Sequence, residues 1–458
     1  MNKTVIVKCD IIEPLTLPPE PLPDETASPS NIIVQHHCTI KERDFTTFNI
    51  IPMSTFSNVP LIGPDPVFHM LARYKTDTAP DKVNLTVGAY ATAEGKEYVL
   101  DEVRLTEQEI VADPNLTHSY LKITGDPEFT NLSVQLVLGT GNAAQANNAV
   151  AAVQTLSGTG ALRLLSVFLA THFPGITMLK SNPTWGNHKT IFRESGLAQI
   201  DYRYWDAAGR KLDIDGMLED LTNAPNKSAV LLHCCAHNPT GVDPTKEQWV
   251  QIMDVMKTKG HIALFDSAYQ GYATGDLEED AYAVRLFLSN NVPLAVAQSY
   301  SKNLGLYGER IGCASIVCAT ADEAQACQSQ LAALIRPMYS NPPRFGAAIV
   351  KRILGNPEKR ARWEIELKGM ADRIADMRLQ FRALLEEYHT PGDWSHVTSQ
   401  IGMFCYTGVS VEQAEHLIDH HHVYLLKSGR ISVAGLNPSN IEKVAKAFDD
   451  AIRTKASL

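Results

Sequence analysis

The chain has 458 residues, 44% of them apolar and 20% charged, and a formal net charge of −10. That length supports two domains with ample cores, the composition is ordinary for a soluble globular enzyme, and the negative balance excludes a nucleic-acid footprint. No apolar run is long enough to cross a bilayer, and the eight cysteines, without any Cys-x-x-Cys spacing, read as core thiols of a reducing compartment.

Residues 1–52 carry six prolines between Pro14 and Pro29 among acids and small polar residues, which predicts a disordered N-terminal extension. Its apolar core, Val5-Ile6-Val7, is too short for a secretory signal, and its acids argue against a transit peptide, so the cytoplasm is the expected compartment. A start at Met53 would make the extension optional. Residues 53–97 are expected to form an N-terminal arm, extended at Pro60–Pro64, and part of a small domain. Within them Val67, Met70, Leu71 and Tyr74 are spaced for a helix over Asp65–Tyr74. From 98 to 369 apolar β-branched runs alternate with helical patterns, which predicts a large α/β domain of three layers. Residues 370–458 complete the smaller domain. It contains an amphipathic helix over Met370–Tyr388, short strands at Met403–Tyr406 and Val423–Leu426, and a last helix carrying Ile441, Val444, Phe448 and Ile452.

Chemistry concentrates at the ends of three apolar runs. Ala229–Cys235 leads into His237-Asn238-Pro239-Thr240-Gly241, His261–Phe265 into Asp266-Ser267-Ala268-Tyr269, and Val292–Gln298 into Ser299-Tyr300-Ser301-Lys302. The separations between Asn238, Asp266 and Lys302, 28 and 36 residues, are each about one strand-helix-strand unit. Parallel strands would therefore bring an amide, a carboxylate and a lysine to one sheet edge, where open α/β sheets place their ligands. That set suits pyridoxal 5′-phosphate: Lys302 to carry the aldehyde as a Schiff base, Asp266 to keep the ring nitrogen protonated, Asn238 and Tyr269 to hold the phenolate oxygen. Singly, each motif is modest, since Asn-Pro-x-Gly is also a turn and Asp after a strand is often a helix cap.

Jointly, the motifs resemble the aspartate aminotransferase branch of the class I, fold-type I pyridoxal-phosphate aminotransferases. The likeness runs from about Val59 to the C-terminus through Val83–Tyr90, Ser157–Arg163, Pro183-Thr184-Trp185, Tyr202–Asp206, Ser340–Pro343 and Ser428–Ile431. It implies a three-layer fold with a large, mostly parallel sheet domain and a smaller α+β domain. It also implies a homodimer with shared active sites and no metal. Ser157, Gly158 and Thr159 at a helix start, with Ser299 and Arg310, would form the phosphate cup, joined by Tyr120 of the neighbouring subunit. Trp185 would lie on the ring and His188 would hydrogen-bond Asp266. Gly88, Trp185, Asn238 and Arg430 would contact substrate, Arg430 taking the α-carboxylate. Arg336, donated across the interface, would take the distal carboxylate, with Pro337 restricting it towards extended backbone. The activity implied is double displacement between L-aspartate and 2-oxoglutarate, with Lys302 as the base. An aminotransferase for aromatic or varied amino acids is the alternative within the class, and a non-catalytic scaffold is the alternative outside it.

Overall fold

In the computed structural model the described residues are 55–456, with side chains to 454. The expectations for 1–52 and for a start at Met53 lie outside them. Chain contacts divide the molecule after Ile62. Residues 55–62 are a turn, closed by Val59 N donating to Phe56 O, and the unit from Gly63 onward carries all the remaining elements.

The centre of that unit is a seven-stranded sheet. In chain order the strands are β1 (Val150–Leu156), β2 (Thr177–Asn182), β3 (Ala198–Arg203), β4 (Ala229–His233), β5 (Ile262–Ser267), β6 (Leu294–Ser299) and β7 (Ile311–Val317). In space they run β1-β7-β6-β5-β4-β2-β3. Only β7 runs against its neighbours; the others are mutually parallel. Alternate residues of the central strands feed two separate cores. Val230, Leu232, Ala263, Phe265 and Val296 enter one, and Ala229, Leu231, Leu264, Ala295 and Ala297 the other. Burial on both faces is why these strands read as unbroken apolar runs rather than alternating ones.

Three sequence expectations about boundaries need correction. The helix expected over Met370–Tyr388 begins at Pro357 and runs to Glu387, capped by the Asn356 side chain. Its first turns are charged outward and bury Trp363 and Leu367, so the apolar period is thin there. The strands expected to end at Cys235 and Phe265 end at His233 and Ser267. Asp266 is therefore the penultimate residue of β5 rather than a loop residue. Finally, Arg336 is not extended: it lies in the last turn of the helix Ala321–Met338, which contains Pro337. Proline removes only one donor there, and the helix ends within two residues, so the usual penalty of an interior proline is largely avoided.

Beyond the sheet, Val83–Asn84 pairs in parallel with Val423–Tyr424, and Phe404–Tyr406 pairs with Arg430–Ser432. Arg378, in the long helix, is almost wholly buried and donates to the carbonyls of Val397, Gly402 and Phe404. It fixes the path of 397–404, and with it Phe404. Arg378→Ala leaves those carbonyls without their charged donor and is expected to cost on the order of 3 kcal/mol. Urea unfolding checks this: the midpoint falls at unchanged slope, and a loss under about 1 kcal/mol means water replaces the guanidinium.

Candidate active site

The parallel register places His233 opposite Asp266, and Asp266 opposite Ala297. Asn238 follows the end of β4, Asp266 is the penultimate residue of β5, and Lys302 follows the end of β6, so the three carboxyl ends of adjacent strands carry the amide, the carboxylate and the amine.

Asp266 is buried and its Oδ2 lies 3.0 Å from His188 Nε2. His188 Nδ1 is 2.8 Å from the Thr184 hydroxyl. A carboxylate only accepts, so Nε2 carries the hydrogen towards Asp266 and Nδ1 accepts from Thr184. The imidazole is fully buried, with its ring edge-to-face on Trp185 at 5.1 Å and on His233 at 5.4 Å. Burial drives the His233 pKa down to about 3, and neither of its ring nitrogens has a hydrogen-bond partner among the described residues.

Lys302 Nζ stands 4.7 Å over the Tyr307 ring, and the Tyr307 hydroxyl accepts from Tyr90 N at 2.9 Å. Loss of solvent, reinforced by the charges of Arg310 and Arg430, pulls the Lys302 pKa down to about 8. Tyr269 is pushed the other way, by burial and then by the charge of Asp266, so its phenol stays protonated at neutral pH.

The helix Ser157–His172 starts directly from β1. Ser157 Oγ is 2.9 Å from Ser299 Oγ and 3.0 Å from Ser301 Oγ. A Cβ on Gly158 would meet the Ser299 Cβ at 3.0 Å, and one on Gly312 would come within 2.4 Å of the Gln298 carbonyl, so the approach needs both glycines. Thr159 lies in the same first turn. Arg310 donates to Tyr307 O at 3.0 Å and is exposed. Ser157, Gly158 and Thr159 thus open a helix beside the Ser299 and Ser301 hydroxyls, a set of donors that suits an anion, and Arg310 precedes the strand paired with the end of β1.

Arg430 is 5% exposed. One terminal nitrogen donates to Thr86 O at 2.8 Å, the other reaches Asn238 Oδ1 at 3.4 Å, and the guanidinium carbon lies 4.1 Å over Phe404. Its Nε is buried without a partner among the described residues. A Cβ on Gly88 would strike the Phe404 ring at 2.8 Å, so Gly88 leaves space for the ring that supports Arg430. Burial brings the Arg430 pKa down to about 10. A cavity of about 690 Å³, bordered by Asp65, Trp185, Asn238, Pro239, Tyr406 and Arg430, opens in front of it. Arg336 and Tyr120 do not border that cavity. Arg336 is exposed and donates to Ser340 Oγ at 2.5 Å, and Tyr120 is 89% exposed.

Several residues of this arrangement escape a sequence reading. Tyr307 has a usable signal, since it lies between Lys302 and Arg310. Thr86 and Ser301 stand inside the segments Val83–Tyr90 and Ser299–Lys302 without a signal for their own contacts, and Phe404 and His233 carry none, because these contacts lie far along the chain.

The orphaned Arg430 donor, the lysine near Asp266 and the glycine-permitted anion cup fit pyridoxal phosphate and an amino-acid carboxylate. The Lys302 amine gives a direct check. Its pKa is about 8 in the folded protein against 10.5 for a solvated lysine. Folding therefore gains stability as pH rises between those values, and bears the full cost of the charged amine below about 8. Trinitrophenylation of Lys302 in cofactor-free protein, followed by peptide mass spectrometry, should reach half its plateau rate near pH 8. A half-rise above about pH 10 would mean that the amine is solvated.

A family model described as "Aminotransferase class I and II" matches residues 80–448. A rice protein named "Aspartate aminotransferase, cytoplasmic" is 49% identical over 399 residues, 87% of this chain and 98% of that protein. The structure of aspartate aminotransferase from Saccharomyces cerevisiae cytoplasm superposes with a TM-score of 0.85 at 44% identity, covering 87% of this chain and 99% of that one. A Burkholderia pseudomallei aromatic-amino-acid aminotransferase, covalently bound to pyridoxal phosphate, gives a TM-score of 0.85 at 40% identity, covering 87% and 100%. With a family match over residues 80–448 and a relative 49% identical over most of both chains, the chain belongs to the class I and II aminotransferase family.

Proposed function

We propose that the protein transfers the amino group of L-aspartate to 2-oxoglutarate, giving oxaloacetate and L-glutamate, with pyridoxal 5′-phosphate as cofactor. One observation carries the reading: Asn238, Asp266 and Lys302 share one sheet edge, and Arg430, buried within reach of Asn238 Oδ1, has an Nε without a partner among the described residues. The identity of nearly one half to an aspartate aminotransferase supports it.

Bound pyridoxal phosphate supplies an aldehyde for the amino group and a sink for the electron pair left at Cα. The chain's own residues do the rest. Asp266, oriented by His188, would hold the proton on the ring nitrogen. Asn238 and Tyr269 would hold the ring oxygen, and Trp185 would cover the ring. Ser157, Gly158, Thr159, Ser299 and Arg310 would hold the phosphate. Arg430 binds the α-carboxylate with parallel hydrogen bonds, which points the Cα–H towards Lys302. With a pKa near 8, about one tenth of the Lys302 amine is neutral at pH 7, against fewer than one in a thousand for a solvated lysine, so it can remove the Cα proton and return it.

The assembly is a homodimer with shared sites: Arg336 and Tyr120 are exposed and stand apart from their own chain's cavity, as donors to a second subunit should. From Gly63 onward, residues 63–97 and 370–456 belong to the small domain and 98–369 to the large one; the Val83–Val423 pairing supports this division. The compartment is the cytoplasm, as for the rice relative, although mitochondrial relatives exist. Among the described residues no helix is long and apolar enough to cross a membrane. Similarity to the aromatic-amino-acid enzyme favours a second reading, in which the distal pocket accepts aromatic side chains as well.

The half-reaction tests the assignment. Holoenzyme given aspartate alone should release one oxaloacetate per subunit and stop, whereas Lys302→Ala should retain cofactor but release none at a comparable rate. Repeated turnover by Lys302→Ala would refute the role of Lys302.

Arg336 decides between the substrates. A bidentate pair to the distal carboxylate is worth roughly 1.5–3 kcal/mol per bond, so Arg336→Ala should lower kcat/KM for aspartate on the order of a hundredfold or more. Phenylalanine, lacking that carboxylate, should lose far less. Equal losses for both, together with a weaker dimer, would make Arg336 an interface brace and favour the aromatic reading.

A further inference from the structure

The helices Val411–His421 and Ile441–Ala456 lie side by side near the C-terminus. Where they meet, His416 Nε2 and His421 Nε2 both lie 2.8 Å from the same oxygen of Asp450, Oδ2. The three ligand atoms are all within 4.8 Å of one another. The His416 side chain is 11% exposed, so its ring is held by packing, while His421 and Asp450 open to solvent at 28% and 50%. The His420 ring lies 4.4 Å from that of His416. None of these groups takes part in the transamination described above.

We propose that His416, His421 and Asp450 form a site for a divalent d-block cation, zinc being the best fit. Two imidazole nitrogens and a carboxylate oxygen suit zinc, cobalt or nickel rather than magnesium or calcium, which take oxygen donors. In the metal-free protein both Nε2–H groups point at one carboxylate oxygen. When a cation binds, each imidazole takes its neutral Nδ1–H tautomer, the hydrogen passing from Nε2 to Nδ1 through solvent, and the two freed Nε2 lone pairs and Oδ2 become ligands at about 2.0–2.2 Å. Tetrahedral bonds of that length set ligand atoms about 3.3 Å apart, so separations of 2.8 Å need to widen by only about half an ångström. The fourth position faces solvent, which places water there.

The site ties the two helices together. His421 closes its helix, His422 turns the chain at φ 57, and Val423–Tyr424 leads on to the strand that begins with Arg430. The metal is thus a structural clasp behind the substrate-binding strand, not a participant in the chemistry.

The test uses full-length holoenzyme dialysed against chelator. Cobalt is the probe, because tetrahedral coordination gives intense visible bands that the hexaaqua ion lacks. One equivalent per subunit should produce these bands, and zinc should abolish them. Zinc at about a hundredfold above its Kd should raise Tm by on the order of 3 °C. Asp450→Asn and the double variant His416→Gln/His421→Gln should each weaken cobalt binding at least about tenfold with transaminase kcat unchanged. Asp450 is half exposed, so its change spares the fold. The wild-type protein giving only the aqua-ion spectrum would overturn the proposal. So would variants that bind cobalt as tightly as wild type, which would assign the metal to other groups such as His36, His37 and Cys38.

Discussion

The site depends on parallel register in the middle of the sheet. Because β4, β5 and β6 run the same way and are hydrogen-bonded neighbours, their carboxyl ends emerge side by side, and residues at or just past these ends, Asn238, Asp266 and Lys302, are brought to one edge. Slipping β5 by one position would turn Asp266 to the opposite face, away from His188. That slip is opposed by the two cores, since it would also exchange Leu264 with Ala263 and Phe265 between faces of unlike shape. The geometry that holds the carboxylate is therefore enforced by apolar burial on both sides of the sheet, not by the polar contacts of the site alone.

Local strain is concentrated at the same edge. Ser157 and Arg310 both adopt the left-handed region, at φ 62 and 52, without being glycine. They flank a paired position of the sheet, Leu156 opposite Ile311. Each such residue costs of order 1–3 kcal/mol unless its surroundings over-determine it. The surroundings here are the Ser157–Ser299–Ser301 hydroxyl cluster and the close approach that Gly312 permits. Strain in both segments leading to one anion-binding cup is consistent with a backbone shaped for a ligand rather than for its own stability. A comparable turn lies beside Asn238, where Ala236 has φ 51 and the backbone amides of Ala236 and His237 donate to Asp243. Burial raises Asp243 to about 6, a cost accepted to fix the loop that presents Asn238.

Much of this is legible in the sequence, for a physical reason. Asn238, Asp266 and Lys302 each follow an apolar run that can be read locally, and their spacing matches one crossover unit apiece. The helix starts marked by Asp65 and Ser157 are similarly readable, because caps and glycines act within a turn. The illegible part depends on tertiary contact. Phe404 beneath Arg430 and Thr86 O on its guanidinium are 26 and 344 residues away along the chain, and no local signal links either to Arg430. The early start of the helix at Pro357 is hidden because only Trp363 and Leu367 face inward in its first turns. Arg336 is helical against expectation because the rule against helix before proline weakens in a final turn.

Arg430 and Arg336 illustrate how one residue type serves two different physical ends. Arg430 is buried, shares its donors with Thr86 and Asn238, and retains an unpaired Nε among the described residues. A ligand carboxylate meeting it has little desolvation of the guanidinium left to bring about, since folding has already removed that water and bears the cost. Arg336 has the opposite character: it is exposed, and among the described residues its side chain hydrogen-bonds to Ser340. In the proposed dimer it becomes desolvated on assembly and on substrate entry. Its selectivity for a second carboxylate is then set by the interface more than by the chain that supplies it. On the proposed reading, affinity for the α-carboxylate is built into the folded monomer, whereas discrimination at the far end of the substrate would come with the second subunit.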